Sequence, residues 1–448
     1  MTLSMGLFLI GILGLSCLST SIFKQHQALA QPYIQTIKYR NLVIDLGNGV
    51  KTSAQLTLPA IGKGPFPGVL LIHGTGRVDM NETLGYIRID NQTGSKIYPP
   101  AQPFFQISQY LSERGFAVLR YDKRGIGANF TSLDSNVWGN LTINDLVQDA
   151  DKALAVLAQQ PEVKPNNITI LGHSEGTIIA PRVAIDNPTK VKNIVLMGAV
   201  AQNIREIGYF QRLYLPLLYA EKVLDHNHDG LLSVSEATKN PVFSSMVGNL
   251  TLVLRQNITS TTNGSTTQQL NPKYNTNKDV YISINNELKP KLVEQLNSLS
   301  VVRPGEKCNP LAPTPCPIWI KSQYALEPTL NIIGNGPQAT SILILQGEND
   351  TQTPLHQAFV LQQILTDKRH SDHTLITYPN LGHVFYPSSE WQTSLGPIQP
   401  YVLADLYSWL EAHSGLSHSY VTTAVSTIGA NTSSLNTNTT SPSSSSKR

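Results

Sequence analysis

The chain has 448 residues, of which 40% are hydrophobic and only 14% charged, with a formal net charge of +3. That composition supplies apolar material for a sizeable core and excludes a globally disordered chain. No basic stripe with interleaved aromatics occurs, so the sequence argues against nucleic acid as a partner.

The N-terminus reads as an export signal. Met5 to Phe23 is an almost uncharged apolar run before Lys24, and Ala28-Leu29-Ala30 is an A-x-A pattern that places cleavage after Ala30. Residues 1–30 are therefore expected to be a signal peptide, and the protein to be secreted or held at the cell surface. Met1 to Ser4 carries no Lys or Arg, and the run is long enough to span a bilayer, so an uncleaved anchor is the alternative and the one route to a membrane. Cysteine usage agrees with export. Cys17 lies in the signal, and Cys308 and Cys316 share one loop, where oxidising conditions predict a local disulfide rather than two free thiols. Sequons at Asn81, Asn129, Asn257, Asn263, Asn431 and Asn438 predict a glycoprotein wherever the secretion machinery glycosylates, although Asn and Thr are abundant enough for some to be accidental.

Taken in chain order, Tyr33 to Leu58 alternates polar and apolar residues about Gly47-Asn48-Gly49, which predicts an antiparallel hairpin. Short continuous apolar runs at Gly68–His73 and Phe116–Tyr121 predict strands buried on both faces. Asn144 to Ala158 has helical periodicity, with Leu146, Ala150, Ala153, Leu154 and Leu157 on one side. Asn167–Gly172 reads as a strand, Ser174–Asp186 as a helix and Asn193–Gly198 as a strand. Later come a strand at Thr340–Gln346, a helix near His356–Leu365, a strand at Thr374–Tyr378 and a helix near Pro400–Ala412. Strands alternating with helices predict an α/β fold whose mostly parallel sheet is covered on both faces. Residues 201–338 interrupt this rhythm at a length no loop needs, and read as a largely helical inserted cap. The expected organisation is a signal at 1–30, a core at 31–200 and 339–414, the cap at 201–338, and a Ser/Thr/Asn-rich disordered tail at 415–448.

Gly172-His173-Ser174-Glu175-Gly176 matches G-x-S-x-G, a pattern long chains also show by chance. Position gives it weight: it follows an apolar strand and precedes a helix, the context of a nucleophile elbow rather than of a capping serine. A serine hydroxyl needs a base to take its proton. His383, just past the strand ending at Tyr378, is the candidate. The base in turn needs an acid to hold its tautomer. Asp350, at the carboxyl end of the strand Ile342–Leu345, is the candidate, with Glu348 the second choice. The order Ser, Asp, His and the placement beyond successive strand ends both suit a Ser-His-Asp triad on an open α/β sheet. His73 reads as structural, and His173 is expected to point away. Backbone N–H groups of Glu175 and of Thr75, in His73-Gly74-Thr75-Gly76, are the expected oxyanion donors.

The strings Leu-Ile-His-Gly-Thr-Gly (71–76), Arg-Tyr-Asp-Lys-Arg-Gly-Ile-Gly (120–127), Gly-His-Ser-Glu-Gly (172–176), Leu-Gln-Gly-Glu-Asn-Asp (345–350) and Leu-Gly-His (381–383) resemble the α/β-hydrolase family. Within it they are similar to carboxylesterases related to serine aminopeptidases and dienelactone hydrolases. The resemblance spans residues 35–200 and 338–413. It implies the α/β-hydrolase fold and ester hydrolysis through an acyl-enzyme. Asp122, Lys123 and Arg124 match a family loop and read as structural.

Inside the cap, Asp225-His-Asn227-His-Asp229-Gly230-Leu231-Leu-Ser233-Val-Ser-Glu236 matches the EF-hand loop pattern in full. Asp225, Asn227 and Asp229 would give side-chain oxygens and Leu231 a carbonyl. Ser233 would act through water and Glu236 would bind bidentately, while Gly230 permits the turn. The segment resembles the EF-hand family locally and implies a structural Ca2+; an acidic surface turn without metal is the plainer alternative. Pro216 is expected to interrupt the incoming helix. Asn275–Asp279 is a degenerate second loop, with Val280 in place of glycine and Asn286 in place of the closing glutamate. The sequence thus predicts an exported serine hydrolase acting on a small-molecule ester. A short-peptide peptidase of the same fold is the second choice, and a non-catalytic surface binding protein a third.

Overall fold

A computed structural model describes residues 36–85, 101–128, 131–233, 237, 239–247, 255–259, 266–270, 281–299, 301, 316–334 and 340–416, with backbone alone at 255–259 and 266–270. The expected signal with Cys17, Cys308, Glu236, most of the sequons and the tail from 417 onward lie outside the described residues.

The Gly47-Asn48-Gly49 turn has φ of +81°, +53° and +76°, values that glycine and asparagine tolerate best. It joins β1 (Ile37–Gly47) to β2 (Val50–Pro59) as the expected antiparallel hairpin. The continuous apolar runs become β3 (Phe66–Ile72) and β4 (Ala117–Tyr121), every residue of which is buried. β5 (Val163–His173), β6 (Val191–Met197), β7 (Ser341–Gly347) and β8 (His373–Tyr378) complete an eight-stranded sheet in the spatial order β1-β2-β4-β3-β5-β6-β7-β8. β2 runs antiparallel to both β1 and β4, and all remaining neighbours are parallel.

Helices cover both faces. α1 (Pro103–Ser112) and the C-terminal helix α2 (Pro400–Ser414) pack Phe104, Ile107, Val402 and Leu406 on one face with Val69, Leu71 and Val195. On the other face lies a helix over Ile143–Ala158, which buries Leu146, Ala150, Ala153, Leu154 and Leu157 as its periodicity requires. Each such fully buried leucine is worth about 1.5–3 kcal/mol. That helix starts where it does because Thr142 and Asp145 form a reciprocal capping box. The C-terminal helix runs two residues past its expected end and stops at Gly415, whose φ of +60° is the left-handed cap conformation.

β6 and β7 are adjacent and parallel, so the residues between them leave from the carboxyl end of β6 and cross back to the amino end of β7. This insertion has its own core of Leu213, Tyr219, Leu224, Leu232, Phe243, Ile282 and Leu288. One expectation needs correction here. Pro216 does not break the incoming helix. The helical run from Ile204 to Leu224 alternates α and π segments, and Pro216 falls at the start of the α segment Leu215–Tyr219. A π turn before it absorbs the hydrogen bond that proline cannot donate. The described residues of the insertion are largely helical, with two short antiparallel ladders beside the helices. Leu231–Ser233 pairs antiparallel with Tyr281–Ser283, setting Leu232 opposite Ile282, and Arg255–Thr259 pairs with Thr266–Leu270. Among the described residues no helix is long and apolar enough to cross a membrane.

Candidate active site

The turn after β5 is built by steric necessity. A Cβ on Gly172 would lie 2.2 Å from the Gly176 carbonyl oxygen, and one on Gly176 would lie 2.1 Å from that of Ile72. Only glycine fits at either position, and the tight passage drives Ser174 to φ +54°, an uncommon conformation for a residue with a side chain. The Ser174 N–H donates to the Met197 carbonyl at 2.9 Å, while its own carbonyl accepts from the Thr177 N–H at 2.9 Å. The helix Gly176–Asp186 begins immediately afterwards.

Asp350 and His383 meet. His383 Nδ1 lies 2.8 Å from Asp350 Oδ2, and both side chains are buried. Asp350 also accepts from the N–H groups of Gln352 and Thr353 at 2.8 Å each, from Thr353 Oγ1 at 2.8 Å and from Gln346 Nε2 at 3.0 Å. Burial alone would raise the Asp350 pKa. The adjacent His383 and the Thr353 donors outweigh it and hold the carboxyl below its usual value. With Nδ1–H donating to Asp350, His383 Nε2 is left as the basic nitrogen. Glu348 is exposed and accepts from Thr377 Oγ1 at 2.8 Å, which removes it as the acid.

His173 departs from expectation. It does not turn away but supports His383 from behind: its Nε2 meets the His383 carbonyl at 3.0 Å, its Nδ1 meets Glu82 Oε1 at 2.9 Å, and the two rings are 4.7 Å apart. Burial would lower the His173 pKa, but Glu82 more than offsets this and holds it above the usual value. Both ring nitrogens face acceptors, as an imidazolium requires. His73 is structural as expected, its Nε2 2.9 Å from the Tyr121 carbonyl. The loop signals of Glu82 are invisible to periodicity; its φ of +49° marks it only once the backbone is known.

Thr75, Ser174 and Glu175 line one cavity of about 150 Å³ together with Ile207, Trp319 and Thr353. The N–H groups of Thr75 and Glu175 make no hydrogen bond to another described residue. The Glu175 side chain points elsewhere: it is buried against Lys123 Nζ at 3.0 Å and Gln323 Nε2 at 2.7 Å. Burial raises the Glu175 pKa, with Lys123 opposing. Arg124 binds Asp149, and Asp122 accepts the Met80 N–H at 2.7 Å, as suits structural residues.

In the EF-hand-like segment, Asp225 is buried and its two oxygens accept the N–H groups of Asp229 at 3.1 Å and Gly230 at 2.8 Å. Asp229 Oδ1 accepts from the Leu231 N–H at 2.8 Å, and Gly230 has φ +78°. The donors present are oxygens, which suits a hard cation. Among the described residues no three His, Cys, Asp or Glu side chains gather into a metal cluster; Glu236, the expected bidentate ligand, lies outside them.

A model of the serine aminopeptidase S33 family matches residues 101–261, which hold Ser174, and one of the prolyl oligopeptidase family matches 314–417, which hold Asp350 and His383. The chain is 32% identical over 165 residues to the esterase EstD of Thermotoga maritima, covering 37% of this chain and 34% of that protein. To the esterase FrsA of Yersinia pestis it is 23% identical over 181 residues, covering 38% and 36%. It thus spans about a third of the length of the curated relatives it matches. The fold is that of an α/β-hydrolase. Among solved structures, Est1E from Butyrivibrio proteoclasticus aligns with a TM-score of 0.41 at 13% identity, covering 83% of this chain and 96% of that one. On this fold Ser174 at the elbow and the residues carrying the two N–H groups line one cavity, together with Thr353, whose Oγ1 donates to the buried Asp350 of the histidine–aspartate pair.

Proposed function

We propose that this α/β-hydrolase is a serine hydrolase that cleaves carboxylic esters through an acyl-enzyme, with Ser174, His383 and Asp350 as its triad. The observation carrying this is the buried His383–Asp350 pair at 2.8 Å on the sheet edge that also presents Ser174 at its strained turn. The Ser174 hydroxyl proton passes to His383 Nε2 as Oγ bonds to the ester carbonyl carbon. The oxyanion accepts from the N–H groups of Thr75 and Glu175. His383 then gives its proton to the alkoxide as the C–O bond breaks, and a water repeats the sequence to free the acid. The esterase relatives support the ester class, and the two peptidase family models support peptides as second substrates. Purified protein should release p-nitrophenol from the acetate and butyrate esters faster than p-nitroaniline from aminoacyl anilides. The reverse order would make it a peptidase.

The protein is further proposed to work after export. Cys316 is disulfide-bonded, a state favoured outside the cytosol. A calcium ion held by Asp225, Asn227, Asp229, the Leu231 carbonyl, Ser233 through water and Glu236 would tie the incoming helix to the short ladder of the insertion. Chelation should then lower the melting temperature, and Glu236→Gln should abolish that sensitivity. A melting curve indifferent to chelator would remove the ion.

A further inference from the structure

Lys123 is buried, with its side chain 1% exposed, yet it belongs to none of the groups that move protons in the reaction proposed above. Its Nζ makes two contacts. One is the Glu175 carboxylate at 3.0 Å, and the other is the Gly74 carbonyl at 2.6 Å. That carbonyl belongs to the peptide whose N–H is Thr75's. We infer that Lys123 is the positioning residue of the oxyanion hole, holding both of its donors through one buried ion pair.

The peptide geometry requires the first half of this. The sole cis bond among the described residues is Gly64–Pro65, so the Gly74–Thr75 peptide is planar and trans, with C=O and N–H on opposite sides. Anchoring the carbonyl on Lys123 therefore turns the Thr75 N–H away from Lys123, on the residue that lines the cavity beside Ser174. The preceding peptide is fixed as well, since the Gly74 N–H donates to Glu82 Oε1 at 2.6 Å. Loop 73–76 thus has no freedom to rotate that one donor out of place. A cation on the carbonyl also polarises the peptide, which strengthens the N–H as a donor.

The second half comes from Glu175. Its backbone N–H is the other donor, and its side chain is the counter-ion of Lys123. Gln323 of the insertion occupies the remaining carboxylate oxygen, so the Glu175 side chain is held at both ends. One ammonium therefore links the loop after β3 to the residue after the nucleophile. Such a link sets the spacing between two donors that must converge on one oxygen, a distance on which catalysis by preorganised dipoles depends.

This inference rests on the serine-hydrolase reading, and its test separates the two. Lys123→Met leaves Glu175 buried without its partner, so it is compared with Lys123→Met/Glu175→Gln, which leaves no buried charge. Folding of each is checked by circular dichroism. For p-nitrophenyl butyrate, the folded variants are expected to lose about 10- to 100-fold in kcat with KM within about twofold. Affinity for a trifluoromethyl ketone, which forms an oxyanion on Ser174, should fall by the same factor. A merely structural role would not couple these two losses. A folded double variant with undiminished kcat and ketone affinity overturns the role of Lys123. If neither variant folds, the unaltered protein decides: with 15N at Thr75, hemiketal formation should move its amide proton downfield, and an unmoved signal overturns the inference. Wild-type protein that neither turns over the ester nor is labelled at Ser174 by a fluorophosphonate would instead sink the serine-hydrolase reading itself.

Discussion

Ser174→Ala should lower kcat/KM for p-nitrophenyl butyrate by roughly 10⁴- to 10⁶-fold, while its circular dichroism spectrum stays that of the parent. On the proposed mechanism the loss is large because the acyl group has no other hydroxyl on which to form, and the base and the oxyanion donors do not replace it. Asp350→Asn should cost about 10⁴-fold for a different reason. Its Oδ2 accepts from His383 Nδ1, Thr353 Oγ1 and Gln346 Nε2 together. An amide has one acceptor oxygen: turned toward these three, its NH2 meets the Gln352 and Thr353 N–H groups, and turned round, its NH2 faces Nδ1 and presses His383 into the tautomer whose Nε2 already carries a proton. Wild-type ester turnover that Ser174→Ala retained at a tenth or more would remove Ser174 from the nucleophile's place.

The elbow makes a second, larger demand on stability. Gly172→Ala and Gly176→Ala should each destabilise the protein by about 3–5 kcal/mol, read as a shift in urea midpoint. The added methyl would meet backbone oxygens at 2.2 Å and 2.1 Å, and these cannot yield as a flexible side chain does. Gly49→Ala is the control. It sits at φ +76° with nothing within 4 Å of the added carbon, so it meets conformational strain alone, about 1–2 kcal/mol. Equal losses at 176 and 49 would mean that the passage between β3 and β5 is looser than described.

Local patterning carried the core far. Continuous apolar runs marked the buried strands, and helical periodicity marked the helix over Ile143–Ala158. Asp350 and His383 were legible because each follows an apolar strand. What stayed hidden depends on contacts between residues remote in sequence. Nothing near Lys123 announces Gly74 or Glu175, and nothing near His173 announces Glu82. Sheet order is likewise absent from periodicity, since β3 and β4 exchange places relative to chain order. The Asn275–Asp279 segment reads as a degenerate second loop because its sequence fails the ligand pattern. The strand following it nonetheless pairs Ile282 with Leu232, since apolar side chains on two short strands need only each other.

Gln323 lies in the insertion, yet its amide donates to the carboxylate of Glu175, the residue after Ser174. The insertion is therefore not an interchangeable lid. Exchanging it for an unrelated insertion would alter not only the lining of the cavity but the setting of the buried Glu175 carboxylate, one position from Ser174. On the proposed mechanism, substrate range and catalytic power are thereby coupled through a single side chain.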